Sequence, residues 1–167
     1  GAAITQSGAL TVEGTSSFTT DVADKAITLS TTTNAFTGAV SFTTTDGAGN
    51  AANVTIDNGT TALDLGASSI YGTLSVTSGE AITQSGALTV EGTSSFTTDV
   101  NDKAITLSNS SNALTGAVTF TTQTAGTNLS HINLNNGSTT ISLAAFTTEG
   151  NLTLATTAAI ALAGHTV

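Results

Sequence analysis

The residues of this chain that could take part in catalysis are mainly its carboxylates. Two pairs, Asp57 with Asp64 and Asp21 with Asp24, have the residue types that a glycosidase uses. Such an enzyme needs two carboxyl groups roughly 5 to 10 Å apart, and sugar sites commonly add an aromatic platform, for which Tyr71 is the candidate. A polysaccharide lyase would instead use arginine or lysine as its base, and the chain has no arginine.

The sequence pattern around these residues occurs twice, and the second occurrence does not keep Asp57, Asp64 or Tyr71. The three replacements are Asp57 to Asn135, Asp64 to Ser142 and Tyr71 to Glu149. A carboxylate that becomes an amide or a hydroxyl can no longer act as an acid or base. We therefore interpret these carboxylates as residues of tight turns and as solvating charges. We predict neither catalytic residues nor enzymatic activity.

Two short segments invite comparison with calcium sites, namely Asp46-Gly47-Ala48-Gly49-Asn50 and Asp57-Asn58-Gly59. Calcium takes six to eight oxygen ligands from a defined loop, and neither segment matches an EF-hand loop or a tandem glycine-rich nonapeptide. Plain tight turns are the better interpretation. His131 and His165 are too few for a zinc site, and His131 is expected on an exposed corner. We predict no metal and no cofactor.

The composition excludes several kinds of partner. The 167 residues carry eleven carboxylates and two lysines, for a formal net charge of −9. Phosphate backbones and anionic lipid surfaces repel such a chain, so we expect no nucleic-acid binding and no membrane insertion. No apolar run is long enough to span a bilayer. Lys25 and Lys103 occupy equivalent sites, each after an aspartate, and we expect both on solvated corners.

The strongest feature of the sequence is an internal tandem repeat. AITQSGALTVEGTSSFTTDV runs from Ala3 to Val22 and recurs unchanged from Ala81 to Val100. The same offset continues without a gap as far as GTLSV at 72–76 and GNLTL at 150–154. The chain thus holds copy one at 1–78, copy two at 79–156 and the start of a third at 157–167. We predict one solenoid segment, 1–167, of a longer repeat array.

Within each copy, apolar residues alternate with threonine, serine or aspartate, which is the period of a β-strand. The apolar–polar–apolar triplets include Leu10-Thr11-Val12, Ile27-Thr28-Leu29, Val40-Ser41-Phe42, Val54-Thr55-Ile56, Leu63-Asp64-Leu65 and Leu74-Ser75-Val76. Glycine, asparagine and aspartate between the triplets supply tight turns. A closed sandwich or barrel seldom repeats its own sequence, whereas a solenoid adds windings without limit. The sequence therefore predicts an all-β fold, a parallel β-solenoid (β-helix), with the apolar residues of each triplet inward.

The number of windings in one copy, here called coils, is the next expectation. Solenoid units of the usual size leave a choice between four short coils and three longer ones in each copy. We prefer four, with coils beginning near Asn53, Gly72, Thr93 and Asn109. We also expect equivalent residues of the two copies, such as Leu10 and Leu88, to occupy the same position around the coil.

Ice binding is a separate hypothesis, because flat Thr-x-Thr ladders on a solenoid can order water. The ice-binding hypothesis is suggested by the runs Thr31-Thr32-Thr33 and Thr43-Thr44-Thr45. A ladder needs threonine at one fixed position in every coil. The outward residues taken in chain order vary: Thr11, Thr28, Ser41, Thr55, Asp64 and Ser75. The sequence therefore ranks ice binding below a structural role.

Three runs of the chain resemble the repeat region of filamentous-haemagglutinin-like proteins. They are AITQSGALTVEGTSSF, DKAITLSNSSNALTGAVTF and GNLTLATT. The resemblance covers nearly the whole chain and implies a right-handed parallel β-helix in the shaft of a very large bacterial surface or secreted adhesin. It also implies export by the two-partner route. It assigns no binding residue to the repeats.

On that resemblance, the expected function is the structural shaft of an extracellular adhesin or surface fibre, located outside the cell or on its surface and without catalysis. The alternative is a binding module for ice or a surface glycan on one solenoid face, and a carbohydrate-active β-helix enzyme comes third. The expected partners are further repeats of the same protein, identical copies stacked end to end, and a host or cell-surface glycan.

Overall fold

A computed structural model describes residues 1–47, 52–123, 125–126 and 129–162, and that part of the chain is all β. Its twenty strands are short, and the longest has eight residues. Strands pair in parallel with strands of the next winding, as Ile27 does with Val54 and Ile141 with Ile160, so each coil lies directly on the previous one. The fold is a parallel β-solenoid, as the alternating pattern predicts.

The strands form two large sheets and one small one. The eight-stranded sheet contains, in stacking order, β1 (Ile4–Thr5), β4 (Ile27–Leu29), β7 (Val54–Asp57), β10 (Leu74–Ser78), β13 (Ser94–Asn101), β16 (Val118–Gln123), β18 (Ile141–Thr147) and β20 (Ile160–Leu162). The ten-stranded sheet contains, in chain order, β3 (Ser16–Thr19), β6 (Val40–Thr43), β8 (Leu63–Leu65), β9 (Ser68–Ile70), β11 (Ile82–Gln84), β12 (Leu88–Val90), β14 (Ile105–Leu107), β15 (Ala113–Leu114), β17 (Ile132–Asn135) and β19 (Leu152–Ala155). The small sheet pairs β2 (Thr11–Val12) with β5 (Ala35–Phe36).

The register of the eight-stranded sheet gives the number of coils. Its successive partners are Ile4, Ile27, Val54, Leu74, Ser94 and Val118. The chain therefore completes five coils between Ile4 and Val118, and the whole stack makes about seven. At roughly 4.8 Å per coil, the stack is roughly 34 Å tall.

The preference for four coils per copy is wrong. Leu74 of copy one and Leu152 of copy two are equivalent in the repeat. Three coils run from Leu74 to Leu143 and the fourth ends at Leu162, so fewer than four coils separate Leu74 from Leu152. Coils do begin beside Asn53, Gly72 and Thr93, where β7, β10 and β13 start, but the next one begins at Val118 rather than near Asn109. Coil length varies, since the chain takes more residues from Ile27 to Val54 than from Leu74 to Ser94.

The expectation that equivalent residues share a position around the coil is also wrong. Ile27 belongs to the eight-stranded sheet, whereas Ile105, the same residue of copy two, belongs to the ten-stranded sheet. Conversely, Val40 belongs to the ten-stranded sheet, and Val118, the same residue of copy two, belongs to the eight-stranded sheet. A copy that contains a fractional number of coils leaves the next copy rotated about the solenoid axis. Identical segments therefore meet different neighbours.

The interior is filled by aliphatic side chains and by four fully buried phenylalanines, Phe36, Phe42, Phe96 and Phe120. The apolar residues of five of the six triplets are buried, and those of Leu10-Thr11-Val12 in the first coil are partly buried against the same core. Phe96 and Phe120 stack with ring centroids 5.7 Å apart. The inward assignment made from the alternating pattern is confirmed.

Glycines at one corner allow the backbones of neighbouring coils to approach closely. A Cβ on Gly92 would lie 2.5 Å from the carbonyl oxygen of Gly72 in the coil below, whereas Gly14, in the identical segment VEGTSS of copy one, has nothing within 4 Å. Overpacking against fixed backbone costs about 1–3 kcal/mol. We expect Gly92→Ala to lower the free energy of unfolding by about that amount, and Gly14→Ala to change it by less than about 0.5 kcal/mol. Urea unfolding measures both, and equal effects would show that close stacking at Gly92 is not the constraint.

Candidate functional site

The carboxylates considered for catalysis hold structural positions. Asp57 Oδ1 accepts a hydrogen bond from Gly59 N at 2.8 Å, and Asn135 Oδ1 accepts the equivalent bond from Gly137 N at 3.0 Å. The turn therefore needs an acceptor oxygen and not an acid. Asp64 lies in the middle of β8, between two buried leucines. It belongs to the ten-stranded sheet, whereas Asp57 ends a strand of the eight-stranded sheet, so the fold does not pair these carboxylates.

The second carboxylate pair also belongs to a tight turn. Asp24 has a left-handed backbone with φ of 58°, as does Asp102 in copy two with φ of 61°, and aspartate tolerates this conformation better than most residues. Asp21 is exposed and accepts a hydrogen bond from the terminal ammonium of Gly1 at 2.7 Å. That bond, together with the positive charge, lowers the pKa of the Asp21 carboxyl. A general acid needs the opposite shift.

Among the residues that the structure describes, no three histidine, aspartate or glutamate side chains cluster as metal ligands would. Of the segments considered for calcium, residues 48–50 lie outside the described part. In the other segment, Asn58 is fully buried, and its side-chain amide donates a hydrogen bond to the carbonyl oxygen of Phe36. His165 also lies outside the described residues.

His131 is exposed, as predicted for a corner residue. Its Nδ1 accepts a hydrogen bond from Asn151 N at 2.9 Å, and Asn53 Oδ1 accepts the equivalent bond from Thr73 N at 2.8 Å in copy one. Histidine thus replaces asparagine as an acceptor that links two coils.

Lys103 forms an ion pair with Glu80, with Nζ and Oε2 2.8 Å apart. Both side chains are partly exposed, and ion pairs of this kind contribute about 0–1 kcal/mol. Copy one has Ala2 at the position of Glu80 and Lys25 at that of Lys103. The ion pair is therefore not a common feature of the two copies.

Two buried networks of side-chain amides join successive coils, and the sequence pattern did not identify them. Asn34 Nδ2 donates to the carbonyl oxygen of Asp57 at 3.0 Å, and its Oδ1 accepts from Leu10 N at 2.9 Å. Gln6 Nε2 donates to Asn34 Oδ1 at 2.8 Å. One coil further, Asn58 Oδ1 accepts a bond from the backbone of the coil below. The network thus spans three coils.

The second network repeats the first with Gln84, Asn112 and Asn136. These are the copy-two equivalents of Gln6, Asn34 and Asn58. Their identity in both copies was a usable signal, but asparagine in a glycine-rich chain is the usual residue of an exposed turn. Only the stacked backbone reveals that Asn34, Asn58, Asn112 and Asn136 are buried.

The outer face of the eight-stranded sheet carries two columns of mostly hydroxyl side chains, here called the hydroxyl face. The first column is Thr5, Thr28, Thr55, Ser75, Ser95 and Thr119. The second, two residues further along the strands, is Asp57, Thr77, Thr97, Thr121 and Thr147. Neighbours within a column are register partners, which places them about 4.8 Å apart, and the columns are about 6.7 Å apart.

The hydroxyl face could not be recognised from the sequence, because its residues do not follow one another in chain order. Among the outward residues compared in the sequence, Thr28, Thr55 and Ser75 belong to this face, whereas Ser41 and Asp64 lie on the ten-stranded sheet. The rotation of copy two brings further hydroxyl residues onto the eight-stranded sheet. The threonine runs 31–33 and 43–45 contribute nothing to it.

Tyr71 lies on another side of the solenoid, directly after β9. Glu91 N donates to the carbonyl oxygen of Ile70 at 3.0 Å, so Glu91 is stacked over Tyr71 in the next coil. Both residues line one shallow groove together with Thr73 and two glycines. The aromatic candidate for a sugar platform is therefore separated from the hydroxyl face.

The part of the chain that the structure describes has no helix long and apolar enough to cross a membrane. A family model described as repeats of unknown function (DUF5649) matches residues 1–43 and 51–121, which is more than half of the chain. No curated protein matches the chain, and no solved structure matches it.

Proposed function

The chain belongs to the family of repeats of unknown function (DUF5649), and from this premise we propose that it is the structural shaft of a bacterial extracellular adhesin or surface fibre, without catalysis. The observation that carries the proposal is the reuse of one stacking arrangement in two rotated copies. The parallel ladder, the continuous apolar core and the buried amide network occur in both. A rod that grows by adding repeats needs such contacts, because each repeat meets only its neighbours.

The cellular location is part of the same proposal. The repeat runs resemble those of filamentous-haemagglutinin-like adhesins, and the chain is acidic and free of cysteine, a composition that a long extracellular fibre tolerates. We place the shaft outside the cell or on its surface. Immunogold labelling of intact cells tests the location, and labelling that appears only after lysis contradicts it.

The first coil indicates what partner the shaft takes. Its inward residues Ile4, Leu10 and Phe18 are only partly buried. The same residues of copy two, Ile82, Leu88 and Phe96, are fully buried. The difference arises because β8, β9 and β10 lie beneath copy two. We propose that a further repeat of the same protein, or an identical copy stacked end to end, covers the first coil in the same way.

Fusing residues 3–80 ahead of Ala3 tests the shaft. The junction then reproduces the sequence around Glu80 and Ala81. We expect one continuous rod, longer by roughly 16 Å at about 4.8 Å per coil, and a higher melting temperature because Phe18 becomes covered. Small-angle X-ray scattering measures the length and circular dichroism measures the melting. A fusion of the same length with a shuffled extension is the control. Two side-by-side globules in the scattering profile would contradict the proposal.

A binding role on one face of the shaft is the second candidate function, and the regularity of the hydroxyl face favours it. A carbohydrate-active enzyme has less support, because Asp57 and Asp64 lie in different sheets. The groove beside Tyr71 is the place on the described surface where an aromatic ring and a carboxylate adjoin in neighbouring coils. It has no counterpart in copy two, where Glu149 replaces Tyr71.

A further inference from the structure

We propose that the hydroxyl face binds ice, with the two columns of hydroxyls as its contact surface. This role goes beyond the shaft and does not depend on it. The requirement for such a surface is a small side chain with a hydroxyl group, threonine or serine, at one fixed position in successive coils. The first column meets it over six coils with four threonines and two serines.

The face is two-dimensionally regular over its central coils. Thr55, Ser75, Ser95 and Thr119 form one column, with Asp57, Thr77, Thr97 and Thr121 beside them. Seven of these eight residues carry a hydroxyl. Parallel pairing in unbroken register sets the spacing at about 4.8 Å between coils and about 6.7 Å between columns. Such a lattice presents oxygen atoms at fixed intervals to a crystalline surface.

The hydroxyls of the central array are not used inside the protein. Within the described part of the chain, none of the seven forms a side-chain hydrogen bond with another residue. The contrast with hydroxyls elsewhere is clear, because Thr45 and Thr115 donate to carbonyl oxygens of neighbouring coils at 2.8 and 2.9 Å. The array therefore keeps its donors and acceptors for ligands outside the protein. Each threonine also adds a methyl group that restrains the adjacent water.

The remaining surface chemistry favours ice over a polysaccharide. No aromatic side chain belongs to the two columns, and the candidate for sugar stacking, Tyr71, directly follows β9 of the other large sheet. Asp57 is the single charged residue in the columns, although the chain has a net charge of −9. A neutral lattice of small polar groups matches the surface of ice, which has neither charges nor apolar sugar faces.

The two longer columns of the ten-stranded sheet do not have this regularity. One of them, Thr19, Thr43, Ser69 and Thr89, ends at Ala113. The other consists of Asp64, Thr83, Thr106, Asn133 and Thr153. A carboxylate and an amide interrupt the threonines, and both differ from them in size and hydrogen-bonding geometry. The proposal therefore assigns ice binding to one sheet. This difference also supplies a control within the same molecule.

The test uses the two copies of the segment SSFTT. Thr97 lies in the centre of the hydroxyl face, flanked by Thr77 and Thr121, whereas Thr19 occupies the same position of the identical segment in the ten-stranded sheet. We expect the unmodified 167-residue chain to show thermal hysteresis and to inhibit ice recrystallisation. We expect Thr97→Lys to lose most of both activities, and Thr19→Lys to retain them. Circular dichroism melting should be unchanged in both variants, because both side chains point outward.

A gain-of-function variant keeps the proposal falsifiable if Thr97→Lys destabilises the coil. Ser95→Thr adds a methyl group in the centre of the first column and removes no hydrogen bond within the protein, and we expect it to increase thermal hysteresis. Absence of hysteresis in the unmodified chain overturns the proposal, as does equal loss in Thr97→Lys and Thr19→Lys. Binding to microcrystalline cellulose or chitin without any effect on ice overturns it too and assigns the face to a polysaccharide.

Discussion

Replacing Ile105 by aspartate should disorder the central coils and lower the melting temperature more than any outward substitution. Ile105 is fully buried and pairs with Ile82 in the coil below and Ile132 in the coil above, both of them buried. A carboxylate at this position would have apolar neighbours, and burial without a partner costs several kcal/mol. Because each coil is held by its neighbours, we expect the loss to spread to adjacent coils.

The neighbouring residue gives the matched control for this prediction. Thr106 follows Ile105 in the same strand and faces outward, so Thr106→Asp adds the same charge in water. We expect it to change the free energy of unfolding by less than about 0.5 kcal/mol. Thermal melting and amide hydrogen exchange measure the two variants. An unchanged melting profile for Ile105→Asp would show that the interior tolerates charge and that the core is not tightly packed.

The second large effect is expected at the buried amide network. Asn112 is 2% exposed, accepts a bond from Leu88 N at 2.9 Å and donates to the carbonyl oxygen of Asn135 at 2.9 Å. Asn112→Ala would leave a buried donor and a buried acceptor without partners, at about 1–3 kcal/mol each. We expect a loss of about 2–6 kcal/mol in the free energy of unfolding. Equilibrium urea unfolding measures it.

Two further variants separate hydrogen bonding from side-chain volume. Asn112→Asp keeps an acceptor for Leu88 N but loses the donor, so we expect it to be destabilising as well, by the desolvation of a charge. Asn133→Ala removes an amide from an outward position of β17 and should change the stability by less than about 0.5 kcal/mol. Equal stabilities of Asn112→Ala and Asn133→Ala would show that the buried network contributes nothing.

The amide networks explain how coils of unequal length keep one register. The coil from Ile27 to Val54 is longer than the coil from Leu74 to Ser94, so spacing in the chain cannot align the strands. Each buried asparagine bonds to backbone groups of the neighbouring coil and fits only one alignment. Buried polar groups of this kind specify register because every misalignment leaves them without partners.

The sequence by itself determined which residues face inward. The period of two in triplets such as Ile27-Thr28-Leu29 and Val54-Thr55-Ile56 depends only on the geometry of one strand, in which successive side chains alternate between faces. The internal repeat likewise indicated a solenoid, because a stack of coils becomes longer when its repeat is duplicated. The inward residues and the fold class were therefore accessible without coordinates.

The tertiary structure alone decided which strands share a sheet. That choice depends on the lengths of the corner loops, which no strand period encodes, so Ile27 and Ile105 with identical neighbours in sequence lie on different sheets. For the same reason, the outward residues Thr28, Ser75 and Thr119 become one column only when the coils are stacked. Burial of Asn34 and Asn112 also arises from the coil above and below. A period-two pattern distinguishes inside from outside, but the position around the coil is set by how many residues each winding takes.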